Sequence, residues 1–238
     1  MEKLKLYLCY SAGLLCTFMI GVAIYGAFFD IGSTAQPVSA QPQKTIVIDA
    51  GHGGEDGGAT ANGVSEKDVN LDIALKLRDL LTLSGYNVVM TRETDTSIYD
   101  ASAQTISEKK VSDLHNRLSI INSSEDNILI SIHQNKFEQS QYSGAQIFYS
   151  DNNTQSSVLA ESIRKSITGF LQPDNKRELK VGGSNIYILD KATVPAVIVE
   201  CGFLSNPDEA KKLSDDRYRT QMAFAIYCGF LEYAKNNI

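Results

Sequence analysis

The hydrophobic pattern of this chain alternates between short, continuous apolar runs and longer segments in which apolar residues recur every three or four positions. The short runs are rich in β-branched residues and apolar at successive positions, as expected of strands buried on both faces. We predict strands at 45–49, 87–91, 128–132, 145–149, 185–189 and 196–199. Segments with a helical period lie at about 65–84, 111–122, 156–170 and 217–235.

Helices that alternate with buried strands predict one α/β domain, a twisted and mostly parallel sheet of about six strands with helices on both faces. Ser65 is the predicted N-cap of the first helix, and Gly85 is its predicted end. In open sheets of this class, binding sites form beyond the carboxyl ends of the strands. The polar residues that directly follow the apolar runs are therefore the first candidates for chemistry.

The N-terminal part of the chain has a different pattern. Residues 6–29 contain no charged side chain. At ~1.5 Å per residue they are long enough, as a helix, to cross a hydrocarbon core of about 30 Å. Lys3 and Lys5 precede this run and Asp30 follows it, so the positive-inside rule places the rest of the chain outside the cytoplasm. We predict a membrane-spanning signal anchor at 1–29.

The anchor is followed by a linker and then by the globular domain. Residues 30–43 are rich in Pro, Ser, Thr and Gln and predict a linker, which leaves 44–238 for the domain. The small residues from Val38 to Ala40 resemble the cleavage site of a signal peptide. Cleavage of the anchor, which would release the domain, therefore stays an alternative.

Charge and cysteine content narrow the classes of function. The net charge is −6 and the pI about 5.1, which makes a nucleic-acid partner a poor expectation. Cys9 and Cys16 lie in the apolar N-terminal run, so the four cysteines do not form a disulfide framework. We expect Cys201 and Cys228 to be reduced and buried, with a disulfide between them outside the cell as the alternative.

The first predicted strand leads into a loop that holds five glycines around His52. A dinucleotide-binding fingerprint would need glycine where Asp56 stands, and no Gly-Lys-Ser/Thr follows as in a Walker loop. Glu55 and Asp56 would also repel a phosphate. The loop therefore does not predict a phosphate site, and glycine instead lets the backbone fold tightly and leaves room for a ligand.

A divalent metal ion accounts for this loop better. Catalytic zinc commonly takes three protein ligands, imidazoles and carboxylates, and leaves a position for water. His52 follows the first strand and His133 ends the third, so both leave buried strands at the same edge. Glu66 opens the following helix and faces back toward this edge. The other candidates for a carboxylate ligand are Glu55, Asp56 and Asp68.

A further carboxylate, Glu200, directly follows the apolar run at 196–199. A carboxylate in such a place is costly to bury without a partner, which indicates a function. Structural roles remain open for the others: His52 in a turn, His133 in the core, and Glu66 as a favourable charge at a helix N-terminus. We expect His115 to lie on a helix surface, and we find no base for Cys201 as a nucleophile.

Four separated motifs follow one another along the chain. They are Ile48-Asp-Ala-Gly-His-Gly-Gly54, Glu66 at a helix start, Ser131-Ile-His-Gln-Asn135 and Glu200-Cys-Gly-Phe-Leu-Ser-Asn206, with Asp113-Leu-x-x-Arg117 and Asn122 before the third strand. In this order they resemble the zinc-dependent N-acetylmuramoyl-L-alanine amidases, which cut bacterial peptidoglycan. The resemblance covers about 45–236, which is nearly the whole predicted domain.

The resemblance implies a single α/β catalytic domain with one zinc ion per chain, bound by His52, Glu66 and His133. It implies that Glu200 is the general base for a water that attacks the amide between muramic acid and L-alanine. A catalytic domain with only a short anchor is similar to the germination-specific amidases of spore formers, which help make muramic-δ-lactam in the spore cortex. The alternative within this class is a vegetative autolysin or septal amidase.

The expected setting is the outer face of the cytoplasmic membrane, or the exterior if the anchor is cleaved, with the spore cortex as one destination. The expected partners are peptidoglycan and the membrane. An anchored hydrolase that must not lyse its own cell could also require a protein activator, although no residue identifies one. The alternatives from other classes are a zinc carboxypeptidase-like peptidase and a catalytically silent peptidoglycan-binding protein.

Overall fold

The structure, a computed structural model, describes residues 44–238. The strands are β1 (Thr45–Ala50), β2 (Thr60–Ala61), β3 (Val64–Ser65), β4 (Asn87–Met90), β5 (Asn127–Asn135), β6 (Gln146–Tyr149), β7 (Lys180–Val181) and β8 (Ala196–Phe203). The helices are α1 (Glu66–Leu83), α2 (Ile106–Ile121), α3 (Thr154–Phe170), α4 (Tyr187–Lys191), α5 (Pro207–Ser214) and α6 (Asp216–Asn237).

Six of the strands form one sheet in the order β4-β1-β5-β8-β6-β7, and β2 and β3 form a separate two-stranded ribbon. All neighbours in the large sheet are parallel except β6 and β8, which pair antiparallel. The prediction of a mostly parallel sheet of about six strands is therefore confirmed.

Helices cover both faces of the sheet, as predicted, and the alternation along β1 shows how. Ile46 and Ile48 belong to the core that the sheet forms with α1, α3 and α6. Val47 points to the opposite face and packs in a smaller core with Ile121 of α2 and Leu189 of α4. Strands with apolar residues on both faces are necessarily central, because an exposed face would leave half of these side chains in water.

The predicted strand at 185–189 is wrong. A 3₁₀ turn at Gly183–Asn185 leads there into the short helix α4, and the sixth strand is Lys180–Val181 instead. Ile188 and Leu189 are buried beneath the sheet from this helix. A short apolar run fits a buried helical turn as well as a strand, so hydrophobicity alone did not distinguish them.

Two helix starts show the role of capping. The helix α2 begins at Ile106, five residues before the predicted 111, because Thr105 and Glu108 form a reciprocal capping box. The helix α1 matches its prediction, but the Ser65 side chain makes no capping hydrogen bond. Gly85 follows the end of α1 with a φ of 85°, as expected of a glycine that terminates a helix.

The predicted anchor at 1–29 and the linker at 30–43 lie outside the described residues. Within 44–238, none of the helices combines the length and the apolarity that a membrane span requires.

Candidate metal centre and active site

The sheet brings the candidate residues to one edge. β5 lies between β1 and β8, and the register pairs Ala50 with Ile132 and His133 with Glu200. The loop after β1 carries His52, and the N-terminus of α1 carries Glu66. The predicted residues are thus neighbours. The prediction that His133 and Glu200 stand at strand ends is wrong in detail, because β5 and β8 run on to Asn135 and Phe203.

Glu66 lies between the two histidines. Its Oε1 atom is 3.0 Å from Nδ1 of His133 and 3.3 Å from Nε2 of His52. One ligand atom from each of the three residues falls within 4.8 Å of the other two. Two ligand atoms on a tetrahedral zinc ion, each at ~2.0–2.1 Å, are about 3.3 Å apart. Both the chemistry and the spacing of this donor set fit a divalent cation.

The glycines of the loop make room for these side chains. A Cβ atom on Gly51 would lie 2.2 Å from ring atoms of His133. A Cβ atom on Gly58 would lie 2.6 Å from Oε2 of Glu66 and 2.7 Å from Cδ2 of His52. His52 itself has a φ of 62°, a left-handed conformation that is uncommon outside glycine. The loop is therefore built around the imidazoles, and the glycines are required by close packing.

Hydrogen bonds orient the ligand atoms. Nδ1 of His52 lies 2.9 Å from Oδ2 of Asp56; since an ionised carboxylate only accepts, Nδ1 donates and Nε2 keeps its lone pair for a metal ion. Oε2 of Glu66 accepts from the backbone N–H of Ala59 at 2.7 Å. Asp56 is thus hydrogen-bonded to one of the candidate ligands. The other two candidates face elsewhere, since Glu55 pairs with Lys109 at 2.8 Å and Asp68 is exposed.

Two buried arginines, whose role sequence reasoning missed, hold the backbone of the loop. Arg92 donates from Nε to the carbonyl of Ala50 at 2.8 Å and from Nη2 to that of Gly51 at 3.0 Å. Arg117 donates from Nη1 to the carbonyl of Ala50 at 2.8 Å and from Nη2 to that of His52 at 2.7 Å. Three consecutive carbonyls are fixed in this way, and the position of the His52 side chain follows from them.

Arg117 is itself fixed by a buried carboxylate. Its Nη1 lies 2.6 Å from Oδ1 of Asp49, and both side chains are almost fully buried. Asp49 also accepts from Thr91 at 2.8 Å and from Ser131 at 2.6 Å. Burial alone would raise the pKa of Asp49, but the positive charge of Arg117 and these hydrogen bonds lower it to about 2. The motifs Asp49-Ala-Gly-His52 and Asp113-Leu-x-x-Arg117 are therefore connected through one ion pair.

The site favours positive charge. Burial lowers the pKa of His52, but the hydrogen bonds and charges of Glu66 and Asp56 outweigh it and raise that pKa to about 9. The pKa of Glu66 lies well below its usual range, because the two histidines outweigh the effect of burial. A divalent cation would replace the protons at the imidazoles and satisfy the same carboxylates.

Glu200 stands next to this cluster without a partner. Its Oε2 atom is buried and has no hydrogen-bond partner among residues 44–238. Burial raises the pKa of Glu200 to about 7; the charge of Glu66 adds to this effect, and His133 and His52 oppose it. A buried carboxylate that can exchange a proton near neutral pH has the properties of a general base or acid.

The remaining candidates lie outside the site. His115 is exposed on α2, where its ring lies 5.4 Å from that of Tyr187, as the prediction of a surface residue required. Cys201 and Cys228 are both free thiols. Cys201 is fully buried, and burial raises its pKa, which disfavours the reactive thiolate. The prediction that Cys228 is buried is wrong, since its thiol is only partly buried on α6.

Comparison with known proteins finds relatives in one family of enzymes. The sequence model of a family described as N-acetylmuramoyl-L-alanine amidase matches residues 46–232. The germination-specific N-acetylmuramoyl-L-alanine amidase of Bacillus subtilis (strain 168) is 38% identical over 190 residues, which cover 80% of this chain and 79% of the relative.

Two solved structures agree with this similarity. The CwlD amidase from Clostridioides difficile, solved in complex with the GerS lipoprotein, is 43% identical with a TM-score of 0.79, and the match covers 82% of this chain and 100% of that chain. The N-acetylmuramoyl-L-alanine amidase from Clostridium difficile 630 is 30% identical with a TM-score of 0.70, covering 82% and 99% of the two chains.

Proposed function

This chain belongs to the N-acetylmuramoyl-L-alanine amidase family, and from that premise we propose that it hydrolyses the amide between N-acetylmuramic acid and L-alanine with one zinc ion held by His52, Glu66 and His133. The observation that carries this proposal is Glu200, whose Oε2 atom is buried and unpartnered among the described residues, beside a donor set of two imidazoles and one carboxylate. Such a donor set is typical of catalytic zinc in hydrolases.

When bound, zinc supplies Lewis acidity, which lowers the pKa of a water and polarises the scissile carbonyl. Glu200 accepts a proton from the water that attacks the carbonyl carbon, and it then delivers that proton to the nitrogen of the leaving alanine. The buried surroundings of Glu200 favour this exchange, because they keep its neutral form accessible near pH 7. Asp56 keeps the His52 ring in the tautomer that presents Nε2.

The test measures new N-terminal alanine released from purified peptidoglycan by the full-length chain after loading with zinc. We expect Glu200→Gln to lose at least about a hundredfold in rate, the order expected for a missing general base, while its zinc content is unchanged. Glu232→Gln, which changes an exposed residue of α6 in the same way, serves as the control. Equal rates for Glu200→Gln and wild type would refute the role of Glu200, and release of stem-peptide amino acids instead of alanine N-termini would indicate a peptidase.

We further propose that the enzyme acts on the spore cortex, in the formation of muramic-δ-lactam. The support is the similarity to the germination-specific amidase of Bacillus subtilis. Expression of this chain in Bacillus subtilis that lacks its own germination-specific amidase should restore muramic-δ-lactam to the cortex muropeptides, and Glu200→Gln should not. An enzyme that cleaves vegetative peptidoglycan in vitro but leaves the cortex unchanged would favour a vegetative autolysin.

The proposed location is the outer face of the cytoplasmic membrane, supported by the uncharged run at 6–29 and by the substrate of the family. The domain should then be digested by protease added to intact protoplasts, and deletion of 1–29 should keep it inside the cell. A protein partner is also proposed, since the similar CwlD amidase was solved with a lipoprotein. Co-purification from sporulating cells would identify it.

A further inference from the structure

The guanidinium of Arg177 is held in place but has no carboxylate partner among the described residues. Its Nε atom donates to the carbonyl of Ser143 at 2.8 Å. Its plane covers aromatic rings, with the guanidinium carbon 4.4 Å from the centroid of Phe203 and 5.9 Å from that of Tyr142. These contacts orient the planar fork but leave Nη2 without a hydrogen-bond partner within 44–238, so the group can still bind an anion in two-pronged fashion.

Arg177 lies at the same edge of the sheet as Glu200. The strand β6 runs between β7 and β8, and its first residue, Gln146, is paired with Glu200. Nη1 of Arg177 lies 3.5 Å from Oε1 of Gln146. Arg177 precedes β7, which is two strand spacings, or roughly 10 Å, from β8. Its side chain reaches back toward β8, because it covers Phe203, three residues beyond Glu200.

This arginine lines a groove of about 650 Å³ between the segment before β6 and the segment after β8. Three acidic residues line it too, but they do not neutralise the guanidinium. Glu209 is committed to backbone N–H groups, those of Gly144 at 2.9 Å and Phe203 at 2.8 Å. Asp174 and Asp208 are exposed, and neither lies within salt-bridge distance of Arg177. The groove therefore presents a guanidinium that no ion pair among the described residues neutralises.

We propose that Arg177 binds the free α-carboxylate of the second residue of the stem peptide and so selects the substrate. This inference rests on the proposed function. The second residue, a glutamate joined through its side-chain carboxyl, keeps an α-carboxylate in some walls and carries an amide there in others. Two residues at ~3.3–3.6 Å each place this carboxylate about 7 Å from the scissile bond. A group that binds it must therefore lie near the catalytic residues, as Arg177 does through its contact with Phe203 of β8.

The experiment compares two muropeptides that differ only at this group, one with the α-carboxylate and one with the amide, as substrates of the full-length zinc-loaded chain. Wild type should prefer the carboxylate form by roughly 10–100-fold in kcat/KM, the range expected for hydrogen bonds between two charged groups. The preference should appear in KM, because the contact is remote from the reacting bond. Arg177→Gln should reduce it to less than about threefold, and Arg177→Lys should keep part of it.

The control is Lys176→Gln, which removes the same charge from the neighbouring, exposed position and should leave the preference intact. The amidated substrate reports on folding, because Arg177→Gln should cleave it as fast as wild type does. If Arg177→Gln loses kcat/KM equally on both substrates, Arg177 only holds the loop at Ser143. If the preference of Arg177→Gln for the carboxylate form is unchanged, the carboxylate binds elsewhere. Either result overturns the proposal. Wild type that cleaves neither muropeptide would instead refute the proposed function and this inference with it.

Discussion

Replacement of Arg117 by methionine should destabilise the domain severely, because it leaves Asp49 buried without its counter-charge. Five hydrogen bonds of the guanidinium are lost: those to Asp49 at 2.6 Å, Asp113 at 2.6 Å, His52 at 2.7 Å, Ala50 at 2.8 Å and Thr91 at 3.4 Å. Removal of one partner from a buried ion pair generally costs about 3–5 kcal/mol. We expect a loss in this range at pH 7.

The pKa of Asp49 gives an independent measure of how much the surrounding charges and hydrogen bonds stabilise the ionised carboxylate. Its value of about 2, against an ordinary 3.8, corresponds to about 2 kcal/mol of stability. Because the pKa is lower in the folded state, this contribution is present above pH ~4 and is lost as the pH falls toward 2. In Arg117→Met, burial still raises the pKa of Asp49, but the positive charge that lowers it most is gone. The pKa of Asp49 should therefore rise above 3.8. Folding then favours the protonated form, and the penalty grows with pH.

The assay is urea denaturation followed by circular dichroism, at pH 5 and at pH 7, with metal removed from both proteins. The difference between wild type and Arg117→Met should be larger at pH 7 than at pH 5. Arg164→Met is the control; this arginine of α3 pairs with Glu161 at 2.7 Å near the surface, and such a pair contributes up to about 1 kcal/mol. A loss below about 1 kcal/mol for Arg117→Met, or a difference that does not change with pH, would refute the reasoning.

Two further changes test the metal centre. Gly51→Ala should abolish stoichiometric zinc binding, since the new methyl group would lie 2.2 Å from the imidazole of His133. The control is Gly57→Ala, which should bind zinc normally because a Cβ atom there meets nothing within 4 Å. Equal zinc content of the two variants, measured by mass spectrometry, would contradict the packing argument. Asp56→Ala should weaken zinc binding by about 10–100-fold, because His52 loses the carboxylate that orients it. Competition with a chromogenic chelator measures this, and an unchanged affinity would show that Asp56 does not orient the ring.

The sequence alone determined the class of the fold and brought the candidate residues of the site to one region of the sheet. Strands such as 46–48 are apolar at successive positions, and only a sheet covered on both faces buries them, so helices on both sides followed directly. The location of the candidate site could be predicted too, since the carboxyl ends of parallel strands lie at the same edge of the sheet. The sequence therefore predicted that His52, His133 and Glu200 lie close together, and the order of the motifs indicated the family.

The conformation of the short segment at 185–189 and the start of α2 could not be predicted from the hydrophobic pattern, for a physical reason. The run at 185–189 is apolar because it is buried beneath the sheet, and burial of so few residues does not depend on whether the backbone is extended or helical. The start of α2 at Ile106 was missed because its capping box is a local polar interaction that the apolar period does not report.

Only the tertiary structure decided which acidic residue lies between the two histidines and which one hydrogen-bonds to a histidine from outside. Glu66 and Asp56 were equal by composition, and their roles differ because β1 and α1 fix the direction in which each side chain points. The same holds for Arg117 and Arg177, which lie far along the chain from the groups they contact. Contacts of this kind depend on long-range packing, whereas periodicity reports only how each segment divides its own side chains between core and water.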